Sequence, residues 1–531
     1  MEVCGAEAGA LYLLDEDATE LKPVSARLAG NDADPLLSSL SPQAMGDTAT
    51  PLVTAVTSER MESVVRVRDA NPSGLALDPY FDALGSDRLR FDLVPLHDRN
   101  DKVMGVLCLA SVGAAATRDE RIGFVRALSG FASVSVESQR LLKMEKELLE
   151  AFIKLIAGAI DAKSPYTGGH CQRVPALTMM LARAAVQSDA PELADFNLDE
   201  QGWEALHIAS WLHDCGKVTT PEYVVDKATK LETLYDRIHE VRMRFEVLKR
   251  DAEIRCWRDI AEGADRQPAL ARLESELATL DEEFTFVAEC NEGGEFMAPE
   301  RIERLERIAS RTWQRTLDDR IGISWEEHRR KECSAAPDLP VEEQLLADKE
   351  EHLVRQDAAE VAVEYARQGF RVDPPEHLYN RGELYNLCVT RGTLTAEERF
   401  KINDHIVQTI VMLEKLPFPR HLRAVPAIAG GHHEKMDGTG YPRCLNREDM
   451  PRTARIMAIA DIFEALTASD RPYKKAKTLS EAVRIMSRMT EDAHIDPDLF
   501  ALFLRSGVYL EYAKKFLAPE QIDEVNVQQY L

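Results

Sequence analysis

The chain has 531 residues, enough for two to four domains at about 100–200 residues each. Hydrophobic residues make up 45% and charged residues 29%, the composition of an ordinary globular protein. The 91 acidic and 65 basic residues leave a net charge of −26, which excludes a broad binding face for polymeric nucleic acid or an anionic membrane but not a local cationic pocket for a small anion.

No stretch approaches the roughly 18–20 consecutive apolar residues of a membrane span. The opening MEVCGAEAGALYLLDED lacks the basic-then-apolar layout of a signal peptide. Nine cysteines include no C-x-x-C pair, so no disulfide framework or zinc ribbon is indicated, and the reducing cytoplasm is the expected location. Cys108 and Cys215 lie in apolar runs and read as core residues.

Residues 1–117 read as α+β. Gly9 to Leu14, the polar DEDAT and the run LKPVSARL predict one hairpin; Phe91 to Pro95, a DRND turn and Val103 to Ala110 predict a second. This layout resembles a GAF sensor domain, which implies an antiparallel sheet covered by helices and an unidentified small-molecule signal. GAF domains commonly open with a helix, whereas this chain starts almost inside the first strand. That reads as a domain truncated or begun upstream.

From Thr117 the texture becomes helical, with Asp119 and Glu120 suited to a first turn and no proline before Pro165. Leu141, Leu148 and Leu155 are spaced by heptads, as are Leu142, Leu149 and Ile156. The stripe predicts a linker helix over 118–160 that joins two chains in a parallel homodimer, or an amphipathic helix packed on its own domain. Residues 161–230 are helical again. Over 231–390, Leu234, Ile238, Val241, Phe245 and Leu248, then Leu273, Leu277 and Leu280, repeat at helical spacing among charged residues, predicting long amphipathic helices. A compact helical segment follows over 391–518, and 519–531 reads as a tail.

The chemistry is concentrated in five places. Ala205 to Lys217 is an apolar helix ending in His213, Asp214, Gly216 and Lys217, with Gly216 able to let the helix stop. Upstream lies His170 in GHCQR; downstream lie His405 in FKINDHIVQTI, His432 and His433 in GGHHEKMDGTGYP, and Asp461 in MAIADIFEALTASDRPYK. Any one of these histidines alone would read as a satisfied core or surface residue. Five of the thirteen histidines sit in these motifs beside apolar helical stretches, where an unpartnered polar group is costly. The Asp437-Gly438 and Gly440-Tyr441-Pro442 elements read as a tight turn, which either shapes a rim or contacts a ligand.

In this order the motifs resemble an HD-GYP domain, a branch of the HD phosphohydrolases, in two parts: 161–230 and 391–518. The fold expected is therefore multidomain: a GAF-like α+β domain, a linker helix, and an all-α HD-GYP domain interrupted by a large helical insertion at 231–390. The family comprises metal-dependent phosphodiesterases that hydrolyse cyclic di-GMP to the linear dinucleotide or GMP. The resemblance implies that His170, His213, Asp214, His405, His432, His433 and Asp461 hold two divalent ions. Asp214 would bridge them, and the imidazole–carboxylate set suits iron or manganese. Asp214 and Lys217 would serve catalysis. Lys217, Gly440, Tyr441, Arg471 and Lys474 would meet the substrate, Lys217 as a point charge on a phosphate oxygen.

Two departures bear on the site. Some relatives carry a third-metal glutamate where this chain has Tyr166, so two ions are expected. A second-sphere aspartate common in relatives is here Glu464, one methylene longer. Around the link, Pro221-Glu222-Tyr223 and Arg391 to Thr395 flank the insertion, which reads either as a lid or docking arm or as a solvated helical excursion. The insertion holds 37 acidic and 23 basic residues, so more than half of the net charge sits there. It either offers a face to a basic protein partner or keeps long helices soluble. Two alternative functions stand beside hydrolysis of cyclic di-GMP: a weakly active cyclic dinucleotide receptor that docks a partner, and a phosphodiesterase for another cyclic dinucleotide.

Overall fold

A computed structural model describes all residues except 1–4, 16, 30–35, 69–75, 114–118, 164–168, 295 and 470–475. It divides into two compact units, Met1–Glu150 and Ala151–Leu531. Among the described residues, no helix is long and apolar enough to cross a membrane.

In the first unit, strands β1 (Ala8–Leu14), β2 (Glu20–Leu28), β3 (Gln43–Ala44), β4 (Glu62–Val67), β5 (Arg88–His97) and β6 (Val103–Val112) form one sheet in the order β3-β2-β1-β6-β5-β4. Every pairing is antiparallel. The two expected hairpins are β1–β2 and β5–β6, and they join where Ala8 to Leu13 pairs with Gly105 to Ala110. Gly105 allows this approach, because a Cβ there would lie 2.2 Å from the Tyr12 carbonyl oxygen. Alternation sends Leu89, Phe91 and Leu93 to the same buried layer as Val106, Cys108 and Ala110. Helices α1 (Pro51–Ser58) and α2 (Asp78–Leu84) supply Leu52, Val53, Tyr80 and Phe81 to that layer.

Helix α3 (Asp119–Lys163) is continuous. Its heptad residues Leu141, Leu142, Leu148, Leu149, Leu155 and Ile156 are all exposed. Its last turns differ: Ile153, Ala157 and Ile160 are buried in the main core of the second unit. The boundary expected at 160/161 therefore lies near 150/151, because those turns supply core side chains.

That core is built from α4 (His170–Val186), α5 (Glu200–Leu212) and the later helices α13 (Ala396–Glu414), α14 (Val425–Gly430), α15 (Arg452–Thr467), α16 (Leu479–Glu491), α17 (Pro497–Arg505) and α18 (Val508–Phe516). Between these two sets the chain makes α6 (Glu222–Val225), a hairpin of α7 (Ile238–Ala261) and α8 (Arg266–Asn291), then α9 (Pro299–Ala309), α10 (Trp325–Lys331), α11 (Ala358–Arg367) and α12 (Glu383–Leu387). The insertion is not purely helical. Strands β7 (Thr312–Arg315) and β8 (Val341–Gln344) pair, as do β9 (Leu353–Arg355) and β10 (His377–Asn380). It has a core of its own around Val241, Phe245, Leu280, Val287, Leu305 and Leu345. The predicted stripe holds from Ile238 onward, but Leu234 precedes α7 and is 91% exposed.

The insertion leaves and rejoins the core at a closed neck. The Lys227 ammonium donates to both carboxylate oxygens of Glu398 at 2.8 Å and to Asn386 at 3.1 Å. Thr393 donates to the Lys227 carbonyl at 2.9 Å. Glu398 also closes a capping box with Thr395 at the start of α13. The expected C-terminal tail is part of the core: Ile522, Val525, Val527 and Tyr530 pack against it, and Gln521 donates to the carbonyls of Thr467 and Lys477.

The Lys227–Glu398 pair is buried, so removing one partner strands a charge. Lys227→Met should lower the unfolding free energy by about 3 kcal/mol. Lys227→Met with Glu398→Leu should recover most of that loss, as read by chemical denaturation.

Candidate metal centre

The seven residues that the motifs single out as donors converge, although they are spread from 170 to 461. His170 opens α4, His213 and Asp214 follow α5, His405 lies within α13, His432 and His433 follow α14, and Asp461 lies within α15. Close backbone approach makes the convergence possible. A Cβ at Gly216 would fall 1.9 Å from the His405 carbonyl oxygen, and one at Gly430 would fall 2.3 Å from Ile410 Cγ1. Gly216 N–H also donates to Thr409 Oγ1 at 2.9 Å. Gly216 is thus needed for packing HDCGK on α13 rather than for a left-handed helix stop; it is not among the positive-φ residues.

Two donor groups result. The ligand atoms of His170, His213 and Asp214 lie within 4.8 Å of one another, and so do those of His405, His432 and His433. Asp214 joins them. Its Oδ2 lies 3.2 Å from His170 Nε2 and 3.4 Å from His213 Nε2, while its Oδ1 lies 3.1 Å from His405 Nε2. Asp461 Oδ1 completes the first group at 3.4 Å from His170 Nε2 and 3.8 Å from His213 Nε2.

The histidine rings are aimed by backbone. His213 Nδ1 donates to the Ser210 carbonyl at 2.8 Å, His432 Nδ1 to that of Ala429 at 2.6 Å, and His405 Nδ1 to that of Ile402. Each bond turns the Nε2 lone pair inward. The buried Nε2 atoms of His213, His405 and His432 make no hydrogen bond. Lone pairs that face carboxylate oxygens across about 3 Å repel unless a cation stands between them. Ligands about 2.1 Å from one ion stand about 3.0–3.4 Å apart, which matches the contacts of Asp214. The residues present therefore fit a metal, and their nitrogen and carboxylate donors without thiolate suit iron, manganese or zinc.

Electrostatics follow the same division. Burial, with the neighbouring His213, pushes His432 down to about 4, and burial holds His433 well below its ordinary range. Both imidazoles are in the neutral form that ligates metal. Burial opposes the charge of Asp214, but Lys217, His213 and His170 outweigh it and hold this carboxyl well below its usual range. Burial would likewise lower His170, yet hydrogen bonds with Asp214 and Glu464 raise it to about 10.

Glu464 makes the second-sphere contact that its extra methylene left in question. Its Oε2 lies 2.6 Å from His170 Nδ1, and its Oε1 accepts from Arg173 at 2.7 Å. Lys217 contacts Asp214 Oδ2 and is 28% exposed, at the open edge of the first group. A cavity there is lined by His170, Asp214, Lys217, Asp161, Lys163 and Glu222. Gly440 is buried, and a Cβ would lie 2.3 Å from the Lys435 nitrogen; Tyr441 stacks on His433 with ring centroids 5.0 Å apart. Tyr441 thus lies directly against the second donor group. Tyr166, Arg471 and Lys474 lie outside the described residues.

Sequence reading missed Arg173 and Glu434. Glu434 is buried directly after the histidine pair and accepts from the backbone N–H groups of Arg443 at 2.6 Å and Leu445 at 2.9 Å, which folds the Gly440–Pro442 turn back onto His433. Its position after His433 was the available signal. Glu464→Gln should weaken manganese binding about tenfold, and Glu464→Ala more, by loosening His170; calorimetric titration of metal-depleted protein reads this directly.

Comparison with known proteins agrees with this chemistry. Residues 340–499 match the HD domain family. The match contains His405, His432, His433 and Asp461, and His170, His213 and Asp214 lie before it. The chain is 41% identical over 111 residues to the 3′3′-cGAMP-specific phosphodiesterase 3 of Vibrio cholerae, covering 21% of this chain and 23% of that protein. It is 44% identical over 79 residues to a cyclic di-GMP phosphodiesterase of Pseudomonas aeruginosa (15% and 18% covered). It is 36% identical over 114 residues to a cyclic di-GMP phosphodiesterase of Thermotoga maritima (22% and 30% covered). The chain thus spans less than a third of the length of each of these three relatives. The second unit carries an HD domain, and these relatives support an HD-type phosphodiesterase.

Proposed function

We propose that this protein is an HD-GYP phosphodiesterase that hydrolyses cyclic di-GMP at a two-metal centre. The observation that carries the reading is the single carboxylate of Asp214, with one oxygen turned to His170 and His213 and the other to His405. A carboxylate placed so would bridge two ions. His170, His213, Asp214 and Asp461 would hold one, and Asp214, His405, His432 and His433 the other. Iron or manganese bound there supplies Lewis acidity toward the phosphoryl oxygens and an activated water at neutral pH.

The chain's own groups do the rest. Lys217, at the exposed edge of Asp214, meets a non-bridging phosphate oxygen of the entering dinucleotide. Glu464 and Arg173 keep His170 oriented. Glu434 holds the Gly440–Pro442 turn so that Tyr441 backs His433, and the outer face of this turn forms the rim of the site. Arg471 and Lys474 bind the second phosphate or a guanine edge. The first unit serves as a GAF-like sensor for a small-molecule signal, and the exposed stripe of α3 pairs two chains in parallel.

Relatives named for cyclic di-GMP and for 3′3′-cGAMP both resemble this chain, so the base preference is the finer question. Anaerobically purified protein loaded with ferrous iron or manganese should turn over cyclic di-GMP. His213→Ala and Asp214→Ala should each reduce the rate by about a thousandfold or more, since each removes a donor on which the transition-state stabilisation depends. Absence of turnover on any cyclic dinucleotide would sink the reading, and a faster rate on 3′3′-cGAMP would move the substrate but keep the centre. Leu148→Glu with Leu155→Glu should convert a dimer to monomer in sedimentation, and a wild-type monomer at micromolar concentration would remove the pairing through α3.

A further inference from the structure

Within the connection from β9 to β10, residues 365–372 run from the end of α11 back against α13. They touch both chain segments that carry the second donor group. The Tyr365 hydroxyl donates to the carboxylate of Asp404, the residue beside His405. Asp404 is buried, and its other oxygen accepts from Lys401 at 3.1 Å. Phe370 is buried with Ile406, Val407 and Ile410 of α13 in a cluster separate from the main core, and Tyr441 packs on this cluster. Tyr441 is the residue that stacks on His433.

Backbone and cation contacts complete the attachment. Arg371 N–H donates to the Pro442 carbonyl at 2.7 Å, Cys444 Sγ donates to the Arg371 carbonyl at 3.5 Å, and the Arg443 guanidinium lies 5.4 Å from the Phe370 ring centroid. The segment therefore grips the Tyr441 turn on one side and the His405 helix on the other. His170 and His213 take their orientation from elsewhere, from Glu464 and the Ser210 carbonyl.

We infer that residues 365–372 of the insertion are a brace for the second donor group, with Phe370 and Tyr365 as positioning residues for His405 and His433. The inference rests on the reading of the centre as a two-metal hydrolase. It makes this part of the insertion a packed strut whose loss loosens one metal position and leaves the other intact. A ring stacked on a ligand histidine and a hydroxyl fixed to the neighbour of another act on ligand orientation, and outer contacts of this kind are typically worth about 10–100-fold in metal affinity.

The test is a manganese(II) titration of the metal-depleted full chain by calorimetry, with cyclic di-GMP turnover and circular dichroism in parallel. Wild type should show two binding steps. Phe370→Ala should weaken one step about tenfold or more and leave the other unchanged, with turnover falling in proportion to loss of that step. Phe370→Leu should restore most of the loss, and Tyr365→Phe, the milder change, should weaken the same step. Unchanged manganese binding in Phe370→Ala and Tyr365→Phe would overturn the brace while leaving the hydrolase reading in place. Equal weakening of both steps, together with a lowered melting temperature in Phe370→Leu, would also overturn it. A wild-type chain that takes up no manganese or iron and hydrolyses no dinucleotide would instead refute the two-metal reading itself.

Discussion

The centre depends on one buried carboxylate. Asp214 is 2% exposed, and removal of a carboxylate from water is strongly unfavourable unless positive charge and hydrogen bonds compensate it. Within the protein, Lys217 and His170 compensate one oxygen, while the unpaired Nε2 atoms of His213 and His405 beside the two oxygens leave the remainder to a cation. A residue so surrounded constrains everything near it. α13 must lie close enough to HDCGK that only glycine fits at 216, and α14 lies close enough to α13 that a Cβ at 430 would displace the Ile410 side chain. The donors His213, His405 and His432 are then turned by carbonyls three residues upstream, so their aim is inherited from rigid backbone rather than from mobile side chains.

The same economy explains how about 160 residues can interrupt the domain. Loop closure grows only with the logarithm of length, and here the ends are also fastened by the Lys227–Glu398 pair, by Asn386 and by Thr393. Beyond that neck the segment folds around its own apolar core, with Arg244 held bidentate by the buried Glu383. A solvated helical excursion would need neither the core nor the return of residues 365–372 to α13. The insertion is a built subdomain anchored at two places, one at the capping box that starts α13 and one at the middle of the same helix.

Sequence patterns carried the framework and the donors, and they failed where tertiary approach decides. The paired strands of the first unit could be read because apolar residues alternate between turn-forming clusters. The charged strands TWQR and VEEQ carry no apolar alternation and read as helix or loop, so β7 and β8 were invisible. Leu234 matched the helical spacing of α7 by position alone, yet the turn through Asp236 starts the helix four residues later. Histidine and aspartate beside apolar helix marked the candidate donors, since they are costly there without a purpose, and the family resemblance grouped them as a ligand set. Their orienting partners could not be read this way. Every helix offers carbonyls, and Glu434, Arg173, Tyr365 and Phe370 acquire roles only when segments distant in sequence meet. Tyr441 shows the distinction well: its motif announced a turn beside the site, but only the fold shows that its ring lies on His433.

The charge of −26 takes its meaning from this placement. More than half of the acidic excess belongs to the insertion, where surface pairs such as Lys249–Asp281, Arg255–Glu276 and Arg304–Glu282 bind helix to helix and, being exposed, contribute little each to stability. At the centre the balance is reversed by position. The carboxylates of Asp214 and Asp461 are turned inward on the imidazoles, whereas the Lys217 side chain is more open to solvent than either. A cation thus lies on the more open side of the buried acids, and the surrounding acidic surface disfavours polyanions that would need many such contacts at once.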